Sequence, residues 1–217
     1  FKTNFLFNSK GLLQHKSGLY PGGIDDEMVP RQGYEMDASM VVCDANCQCS
    51  AKCPRKTVMN GPKKMVCLFR TPGKDGKESI GWSIRTAEPL ARGEYIFSYA
   101  GKVITKKELT IDTQDKNMMF DITPEFGWTA TKTAPDFILT ACIVGSEFKY
   151  VNHSCNPNTM IVRIYTRTGG ALMHSVGLFA RQKINAYEEL VYDYYRPTTD
   201  PPFDCQCGGY ACRGKKK

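Results

Sequence analysis

Cysteine spacing is the feature that most constrains how this chain can fold. Residues 205–212 read Cys-Gln-Cys-Gly-Gly-Tyr-Ala-Cys and place three thiols close together. A tetrahedral zinc site needs four ligands, so this tail requires a fourth from elsewhere in the chain. Cys155 lies in a polar segment and could provide that thiol. Such a site would join two distant parts of the sequence.

The segment around that thiol, residues 150–157, reads Tyr-Val-Asn-His-Ser-Cys-Asn-Pro. Its Asn-Pro step disfavours helix and indicates a turn. The turn contains the polar pair Asn152 and His153, although a lone histidine is more often structural than functional. If His153 were a general base, activity would follow its titration near pH ~6.5.

A third segment, residues 188–194, reads Glu-Glu-Leu-Val-Tyr-Asp-Tyr and has the alternation of a strand. Side chains two positions apart point to the same face of a strand. Tyr192 and Tyr194 are therefore expected side by side. The alternative interpretation is that these rings only pack apolar faces.

Together these segments resemble the SET-domain lysine methyltransferases. The resemblance covers about residues 80–212 and rests on four motifs in order. They are Gly-Trp-Ser-Ile-Arg from Gly81 with Arg-Gly and Tyr-Ala-Gly downstream, Asn-His-Ser-Cys from Asn152, Glu-Leu-Val-Tyr-Asp-Tyr from Glu189, and Cys-x-Cys-x4-Cys from Cys205.

The fold that the resemblance implies is mainly β with a few short helices. Several small sheets surround a knotted C-terminal segment, and zinc-binding pre-SET and post-SET segments flank them. The sequence favours the same class, because many short apolar runs are separated by turn residues. No internal repeat or low-complexity segment is evident.

The resemblance also implies the chemistry, which is methyl transfer from S-adenosylmethionine to a lysine amine. Tyr194 matches the tyrosine that orients the amine or the methyl group, and Tyr192 lines the same channel. The positions that it implies for cofactor binding are Ile80, Gly81, Trp82, Tyr99, Asn152, His153 and Gln206.

The number of methyl groups transferred stays open. A hydroxyl at the position of Tyr192 tends to hold a water that limits methylation. Met118, in contrast, stands where relatives that stop at two methyl groups carry a tyrosine, and the missing hydroxyl should enlarge the pocket.

Three positions depart from the family pattern. Ser83 replaces a usual glycine, and Ser98 and Lys102 stand where glutamates flank the usual Tyr-x-Gly. The two departures around Tyr99 favour an alternative function, a chromatin-binding scaffold with little or no catalytic activity. The presence of Asn152, His153 and Tyr194 argues against that alternative.

Two zinc sites are expected. The resemblance assigns the tail site to Cys155, Cys205, Cys207 and Cys212. Residues 43–53 hold four more thiols and resemble the second half of the pre-SET region of the Suppressor-of-variegation class, whose first cysteines are missing because residues 1–42 contain none. We expect a single zinc there, on Cys43, Cys47, Cys49 and Cys53, and the alternative is reduced structural thiols.

The clustered spacing of the ten cysteines, without a secretory signal, favours metal over disulfides. The expected organisation has four parts. They are a loop-rich lead segment at 1–42 with an apolar anchor at residues 5–7, a pre-SET-like cysteine cluster at 43–70, a SET catalytic domain at 71–197 and a post-SET tail at 198–217.

Local patterns predict individual elements. Residues 64–70 are expected to form a buried strand with Cys67 as a core residue. Thr105 and Glu108 have the spacing of a capping box, which predicts a helix to about Asp115. Further strands are expected at 118–122, 137–141, 159–166 and 172–180.

Net charge and hydropathy constrain the identity of the binding partners less than the motifs do. The net charge of +7 comes from 29 basic and 22 acidic residues, which suits an anionic partner such as DNA or only a mildly basic surface. No apolar run is long enough to span a bilayer, and no signal peptide is evident. The chain is expected to be soluble and intracellular, and the missing initial Met predicts a fragment of a longer protein.

The resemblance implies a substrate and a location. The expected substrate is the histone H3 tail at lysine nine, on nucleosomes in the nucleus, with a role in heterochromatin and gene silencing. Asp136 and Glu147 are the acidic groups expected to face a basic tail. A zinc-dependent nucleic-acid reader is a third class, but the chain lacks a Cys/His finger pattern.

Overall fold

The computed structural model describes residues 5–7, 13–15, 39–43, 45–71, 81–109, 118–122, 136–168, 171–194 and 205–214. These residues are mainly β, with three short 3₁₀ turns at Pro54–Lys56, Lys106–Glu108 and Glu147–Tyr150. The expected fold class is confirmed. The strands are β1 (Phe5–Phe7), β2 (Leu13–His15), β3 (Ser39–Val41), β4 (Val66–Thr71), β5 (Gly81–Thr86), β6 (Tyr95–Ser98), β7 (Gly101–Thr105), β8 (Met119–Asp121), β9 (Phe137–Gly145), β10 (Asn152–His153), β11 (Thr159–Thr168), β12 (Ala171–Ala180) and β13 (Val191–Tyr192).

The largest sheet has four strands in the order β3-β11-β12-β6. β11 and β12 form a long antiparallel hairpin, β6 pairs antiparallel with β12, and β3 pairs parallel with β11. Alternate residues of β11 share one face of the sheet, where Met160, Val162 and Ile164 are buried in a common apolar cluster.

Smaller sheets surround this one. β4 pairs with β5, β9 lies between β7 and β8, and β1 pairs with β2. β10 and β13 form a short parallel pair, and this pair positions the candidate site.

A cluster of aromatic rings forms the centre of the main core. Phe148 is 1% exposed, and its ring meets the rings of Phe97, Tyr99, Phe120 and Tyr192 edge to face, with centroid distances of 5.7, 5.2, 6.1 and 5.5 Å. Edge-to-face pairs each contribute about 0.5–1.5 kcal/mol beyond the apolar area that they bury. Phe148 therefore supports two predicted site residues, Tyr99 and Tyr192, from below.

The lead segment, which was expected to be rich in loops, contributes a strand to the large sheet. Ser39–Val41 joins the large sheet, and Met40 and Val42 are 1% and 6% exposed within its apolar cluster. A parallel pairing with a strand more than a hundred residues away leaves no local signal in the sequence. The backbone of Phe5–Phe7 forms β1, but its side chains, and with them the predicted anchor, lie outside the described residues.

The strand predicted at 64–70 is present as β4, but the prediction that it is buried is wrong. Its residues alternate between partly buried and exposed, and Leu68 is 46% exposed. The two-stranded sheet with β5 leaves one face of β4 to solvent. Cys67 is only partly buried, opposite Arg85, and the expected boundary at residue 70 falls within this strand.

The capping box forms, but the predicted helix does not continue. The backbone N–H and the hydroxyl of Thr105 donate to Glu108 Oε2 at 2.7 and 2.8 Å. Leu109 then takes an extended conformation, with φ −62° and ψ 120°. No residue of the turn is buried, and short helices need such packing to persist. Residues 110–117 lie outside the described residues.

The other predicted strands are present as β8, β9, β11 and β12, whereas the strand predicted at 188–194 is reduced to β13. Within the described part of the chain, we find no helix whose length and hydropathy would let it cross a bilayer.

Replacing Phe148 with alanine should destabilise the protein by about 3–5 kcal/mol, because it leaves a cavity at the centre of the aromatic cluster. Urea unfolding measures the change. Glu147→Ala, on the exposed side of the same turn, is the matched control and should shift the free energy of unfolding by less than about 0.5 kcal/mol. Equal effects of the two changes would contradict the central role of Phe148.

Candidate active site

The site is built on the parallel pairing of β10 with β13. Asn152 lies opposite Val191 and His153 lies opposite Tyr192. The backbone N–H of Ser154 continues the ladder by donating to Tyr192 O at 3.0 Å. The polar turn at residues 150–157 and the tyrosine segment at residues 188–194 are separate motifs in the sequence. In the structure they thus form one surface.

Two polar residues after the turn fasten β13 in place. The Asn158 side chain, on a residue that is 6% exposed, donates to Glu189 O at 2.7 Å and accepts from the N–H of Val191 at 3.0 Å. The hydroxyl of Thr159 donates to Val191 O at 2.8 Å. Sequence reasoning missed both residues; the available signal was a polar pair at the start of an apolar strand.

Replacing Asn158 with alanine should lower the free energy of unfolding of the metal-loaded protein by about 2–4 kcal/mol. The change removes the hydrogen-bond partner of two backbone groups, the Glu189 carbonyl and the Val191 N–H. Guanidinium unfolding provides the measurement. Asn156→Ala is a matched control, because the side chain of Asn156 is exposed. A change at Asn158 no larger than that of the control would show that the side-chain bonds do not hold β13.

Tyr192 and Tyr194 lie next to each other, as the alternation predicts, with ring centroids 4.6 Å apart. Tyr192 is 6% exposed, and Tyr194 is partly buried. The phenol of Tyr194 donates its proton to Val151 O at 2.7 Å. Its oxygen can therefore act toward a ligand as an acceptor.

Both ring nitrogens of His153 are occupied by neighbours. Nδ1 accepts the backbone N–H of Tyr194 at 3.1 Å, and Nε2 lies 3.4 Å from Cys155 Sγ. Burial lowers the pKa of His153; the carboxylate of Asp193 opposes this shift and the guanidinium of Arg213 adds to it. A neutral ring with its proton on Nε2 satisfies both contacts, so His153 orients the backbone and is poorly placed to act as a general base.

Ser83 holds the side chain of Asn152. The Asn152 amide donates to Ser83 Oγ at 2.6 Å, with longer contacts to Trp82 O at 3.4 Å and Glu189 Oε1 at 3.3 Å. Ser83 is fully buried, and its hydroxyl also bonds to that of Thr71. The residue that departs from the family glycine is thus part of the site.

The other predicted cofactor positions differ in their surroundings. Trp82 is 50% exposed. Gly81 adopts φ +106°, a backbone conformation that residues other than glycine rarely adopt. Tyr99 is 4% exposed and donates its hydroxyl to Met118 O at 2.5 Å. Gln206 is exposed. Ile80 lies outside the described residues.

The tail cysteines meet the central turn. The Sγ atoms of Cys155, Cys205, Cys207 and Cys212 all lie within 4.8 Å of one another and could hold a metal ion. Four sulfurs at ~2.3 Å from one zinc would be about 3.8 Å apart, and the Cys155 and Cys205 sulfurs are 3.8 Å apart. The donor set and its spacing fit zinc.

Burial alone would raise the pKa of the Cys207 thiol, but hydrogen bonds from the backbone amides of Cys155 and Gly209, together with the neighbouring thiols, lower it to about 7. Burial raises the pKa of Cys205. These backbone amides favour a thiolate at Cys207, which is the form that binds metal.

The upstream cysteines form a second group. The Sγ atoms of Cys43, Cys49 and Cys53 lie within 4.8 Å of one another and could hold a metal ion. Cys47 Sγ is 3.4 Å from Cys49 Sγ but is not part of that mutual group. The structure thus brings three of the four predicted ligands together and places the fourth beside them.

The match to known families decides the relationship. Residues 81–195 match the family model described as the SET domain, which is more than half of the 217-residue chain. The chain belongs to the SET domain family. The resemblance drawn from its four motifs is confirmed.

Curated relatives of this SET domain include human histone-lysine N-methyltransferase SUV39H2, 29% identical over 192 residues, covering 79% of this chain and 44% of the human protein. Histone-lysine N-methyltransferase Su(var)3-9 of Drosophila pseudoobscura pseudoobscura is 27% identical over 186 residues, covering 79% of this chain and 28% of that protein. The chain thus spans less than half the length of these relatives.

Solved structures show the same fold. The Neurospora SET domain protein DIM-5, a histone lysine methyltransferase, superposes with a TM-score of 0.59 at 24% identity, covering 76% of this chain and 65% of that one. KRYPTONITE, solved with mCHH DNA, an H3(1-15) peptide and SAH, gives a TM-score of 0.60 at 26% identity, covering 81% of this chain and 34% of that one.

Metal analysis of the purified SET domain should find about two zinc ions per chain, since the tail group offers four thiols and the upstream group three with Cys47 beside them. Cys155→Ser should remove one zinc and Cys53→Ser the other, while Cys142→Ser, outside both groups, should remove none. One zinc in the unchanged protein would eliminate the upstream site. Unchanged zinc affinity in Cys155→Ser would contradict the tail assignment.

Proposed function

We propose that this SET domain transfers methyl groups from S-adenosylmethionine to a histone lysine. The observation that carries the proposal is the pair of adjacent rings, Tyr192 and Tyr194, joined by β13 to the Asn152–His153 segment and bordered by four clustered thiols. Its relatives SUV39H2 and Su(var)3-9 carry the description histone-lysine N-methyltransferase.

S-adenosylmethionine supplies an electrophilic methyl group on a sulfonium, and the lysine must meet it as a neutral amine. With a pKa of ~10.4, a lysine in water is neutral in about one molecule in 2,500 at pH 7, a handicap of about 4.6 kcal/mol. A narrow channel lined by buried aromatic rings removes water from the amine and so disfavours its charged ammonium form. Tyr192, which is buried against Phe148, lines part of that channel.

Tyr194 orients the amine. Because its proton is committed to Val151 O, the phenol oxygen accepts a hydrogen bond from the amine and points the nitrogen lone pair toward the methyl group. This role is one of positioning, which supplies much of the acceleration of a bimolecular transfer. The amine proton leaves to water before the transfer.

The donor site uses the surface next to β10. Asn152, held by Ser83, the backbone of His153 and Gly81, and the open indole of Trp82 bind the donor. Ile80 and Gln206 complete the proposed set. Tyr99 contributes its buried ring, since its hydroxyl is engaged with Met118 O.

The proposed substrate is lysine nine of the histone H3 tail, on nucleosomes in the nucleus, in heterochromatin and gene silencing. The similarity to SUV39H2 and the H3 peptide in the KRYPTONITE complex support it. DNA in that complex and the net charge of +7 support a contact with nucleosomal DNA.

The two acidic groups expected to meet a basic tail differ. Asp136 is paired with Lys106 at 2.8 Å, which offsets its charge. Glu147 is exposed, and it is the stronger candidate for contact with the histone tail.

Tyr194→Phe should lower kcat for methylation of histone H3 by at least about 100-fold, equivalent to about 2.7 kcal/mol, because the amine loses its acceptor. Transfer of a radiolabelled methyl group measures the rate. Tyr187→Phe removes a phenol hydroxyl from an exposed residue and should leave kcat unchanged. Equal rates for Tyr194→Phe and the unchanged protein would refute the role of Tyr194.

The choice of lysine has a separate test. An H3 tail peptide and the same peptide with arginine in place of lysine nine are incubated with S-adenosylmethionine and read by mass spectrometry. Methylation of the first peptide alone supports the proposed substrate. Methylation of both peptides would show that the enzyme acts on another lysine. Binding of the peptide without methylation would favour the scaffold alternative.

A further inference from the structure

An arginine in the tail makes a largely buried ion pair with the tyrosine segment. Arg213 Nη2 lies 2.6 and 2.7 Å from the two carboxylate oxygens of Asp193. Both side chains are 12% exposed. Arg213 directly follows Cys212, one of the clustered thiols, and Asp193 lies between Tyr192 and Tyr194 in the sequence. Neither residue was identified as a site residue from the sequence.

We propose that Arg213 is a positioning residue that fastens the metal-binding tail to the tyrosine segment, so that closure of the tail and the orientation of Tyr194 depend on one ion pair. The effect on turnover rests on the proposed methyltransferase function. The effect on the tail does not, because it follows from the contacts alone.

The surroundings of Tyr194 explain how the ion pair would act. The backbone N–H of Tyr194 donates to His153 Nδ1, and the preceding residue, Asp193, is held through its side chain by Arg213. The peptide between the two residues is therefore fixed from both sides. Without Arg213, the Asp193 side chain loses its bonds to the guanidinium, and the peptide before Tyr194 is held less firmly.

Arg213 also lies against the thiol cluster. Its side chain hydrogen-bonds to Cys155 as well as to the Asp193 carboxylate. A zinc ion with four thiolates carries two net negative charges, and groups that hydrogen-bond to ligand sulfurs tune such sites. The guanidinium thus contacts both the Asp193 carboxylate and Cys155, one of the four clustered thiols.

The tail backbone has little freedom to shift the arginine. A Cβ added to Gly214 would overlap Cys205, so the chain after Arg213 packs tightly against the first tail cysteine. Both contacts to Asp193 come from one nitrogen, Nη2. A single ammonium group can in principle replace them, which makes lysine an informative substitution.

The test compares zinc-loaded variants by alkylation footprinting, in which mass spectrometry follows the modification rate of each thiol. In Arg213→Gln, alkylation of Cys205 and Cys207 should accelerate about 10-fold or more, with no change at Cys43 and Cys49. Arg213→Lys should recover most of the protection. Unchanged protection of the tail thiols in Arg213→Gln would overturn the proposal.

A matched control removes another ion pair. Lys64 and Glu88 are paired at 3.1 Å and neither residue is assigned to the site. Lys64→Gln should leave the footprint of the tail thiols unchanged. Faster alkylation of those thiols in Lys64→Gln as well would show general loosening and would also overturn the proposal.

A double variant separates positioning from stability. Arg213→Gln alone takes the guanidinium away from a largely buried carboxylate and should lower Tm, whereas Arg213→Gln with Asp193→Asn also removes the carboxylate charge and should recover Tm. The positioning role predicts that kcat stays at least about 10-fold low in both, with KM for the histone peptide changed less. Recovery of kcat together with Tm would reduce Arg213 to a structural role and refute the proposal.

Turnover in the unchanged protein distinguishes the two proposals. If it methylates no histone, the methyltransferase function fails, and the footprint still decides whether Arg213 fastens the tail. If it methylates histone and the footprint of Arg213→Gln equals that of the unchanged protein, only the role of Arg213 fails.

Discussion

The parallel pairing of β10 with β13 is the constraint on which the candidate site depends. It contains two residue pairs, Asn152 with Val191 and His153 with Tyr192, and so short a ladder is not stable alone. Asn158 supplies further hydrogen bonds to the backbone of the β13 segment. The chain between the two strands passes through the β11-β12 hairpin of the large sheet, so the pairing ties the site to the main body of the fold.

Apolar packing from the core and an ion pair from the tail act on adjacent residues of the same segment. The ring of Phe148 supports Tyr192 from the core, and the Arg213 guanidinium binds the carboxylate of Asp193 from the tail. The tyrosine segment is thus held by an apolar contact, a backbone ladder and an ion pair. Because these interactions act on neighbouring residues, the effects of substitutions at them are expected to be non-additive.

Sequence reasoning predicted contacts correctly where the signal was the spacing of residues along a strand or the number of ligands that a metal requires. The two-residue spacing of Tyr192 and Tyr194 predicted adjacent rings, and a tail with three thiols required a distant fourth, which Cys155 provides in space. It failed where the partner was distant and the local pattern ordinary. Met40 is buried in a parallel strand whose three residues carry no distinctive pattern in the sequence. The capping box at Thr105 could not reveal that the turn after it has no buried residue.

By itself, the sequence determined the fold class, the two groups of thiols and the family, because strand periodicity, ligand number and motif order are properties of the chain that need no coordinates. Only the tertiary structure decided which side chains hold the site in place: Ser83 on Asn152, Asn158 on the β13 segment and Arg213 on Asp193. Each of these contacts joins residues that are distant in sequence or lie on separate elements. Hydrogen bonds and ion pairs act over a few ångströms, so their partners are defined only once the chain has folded.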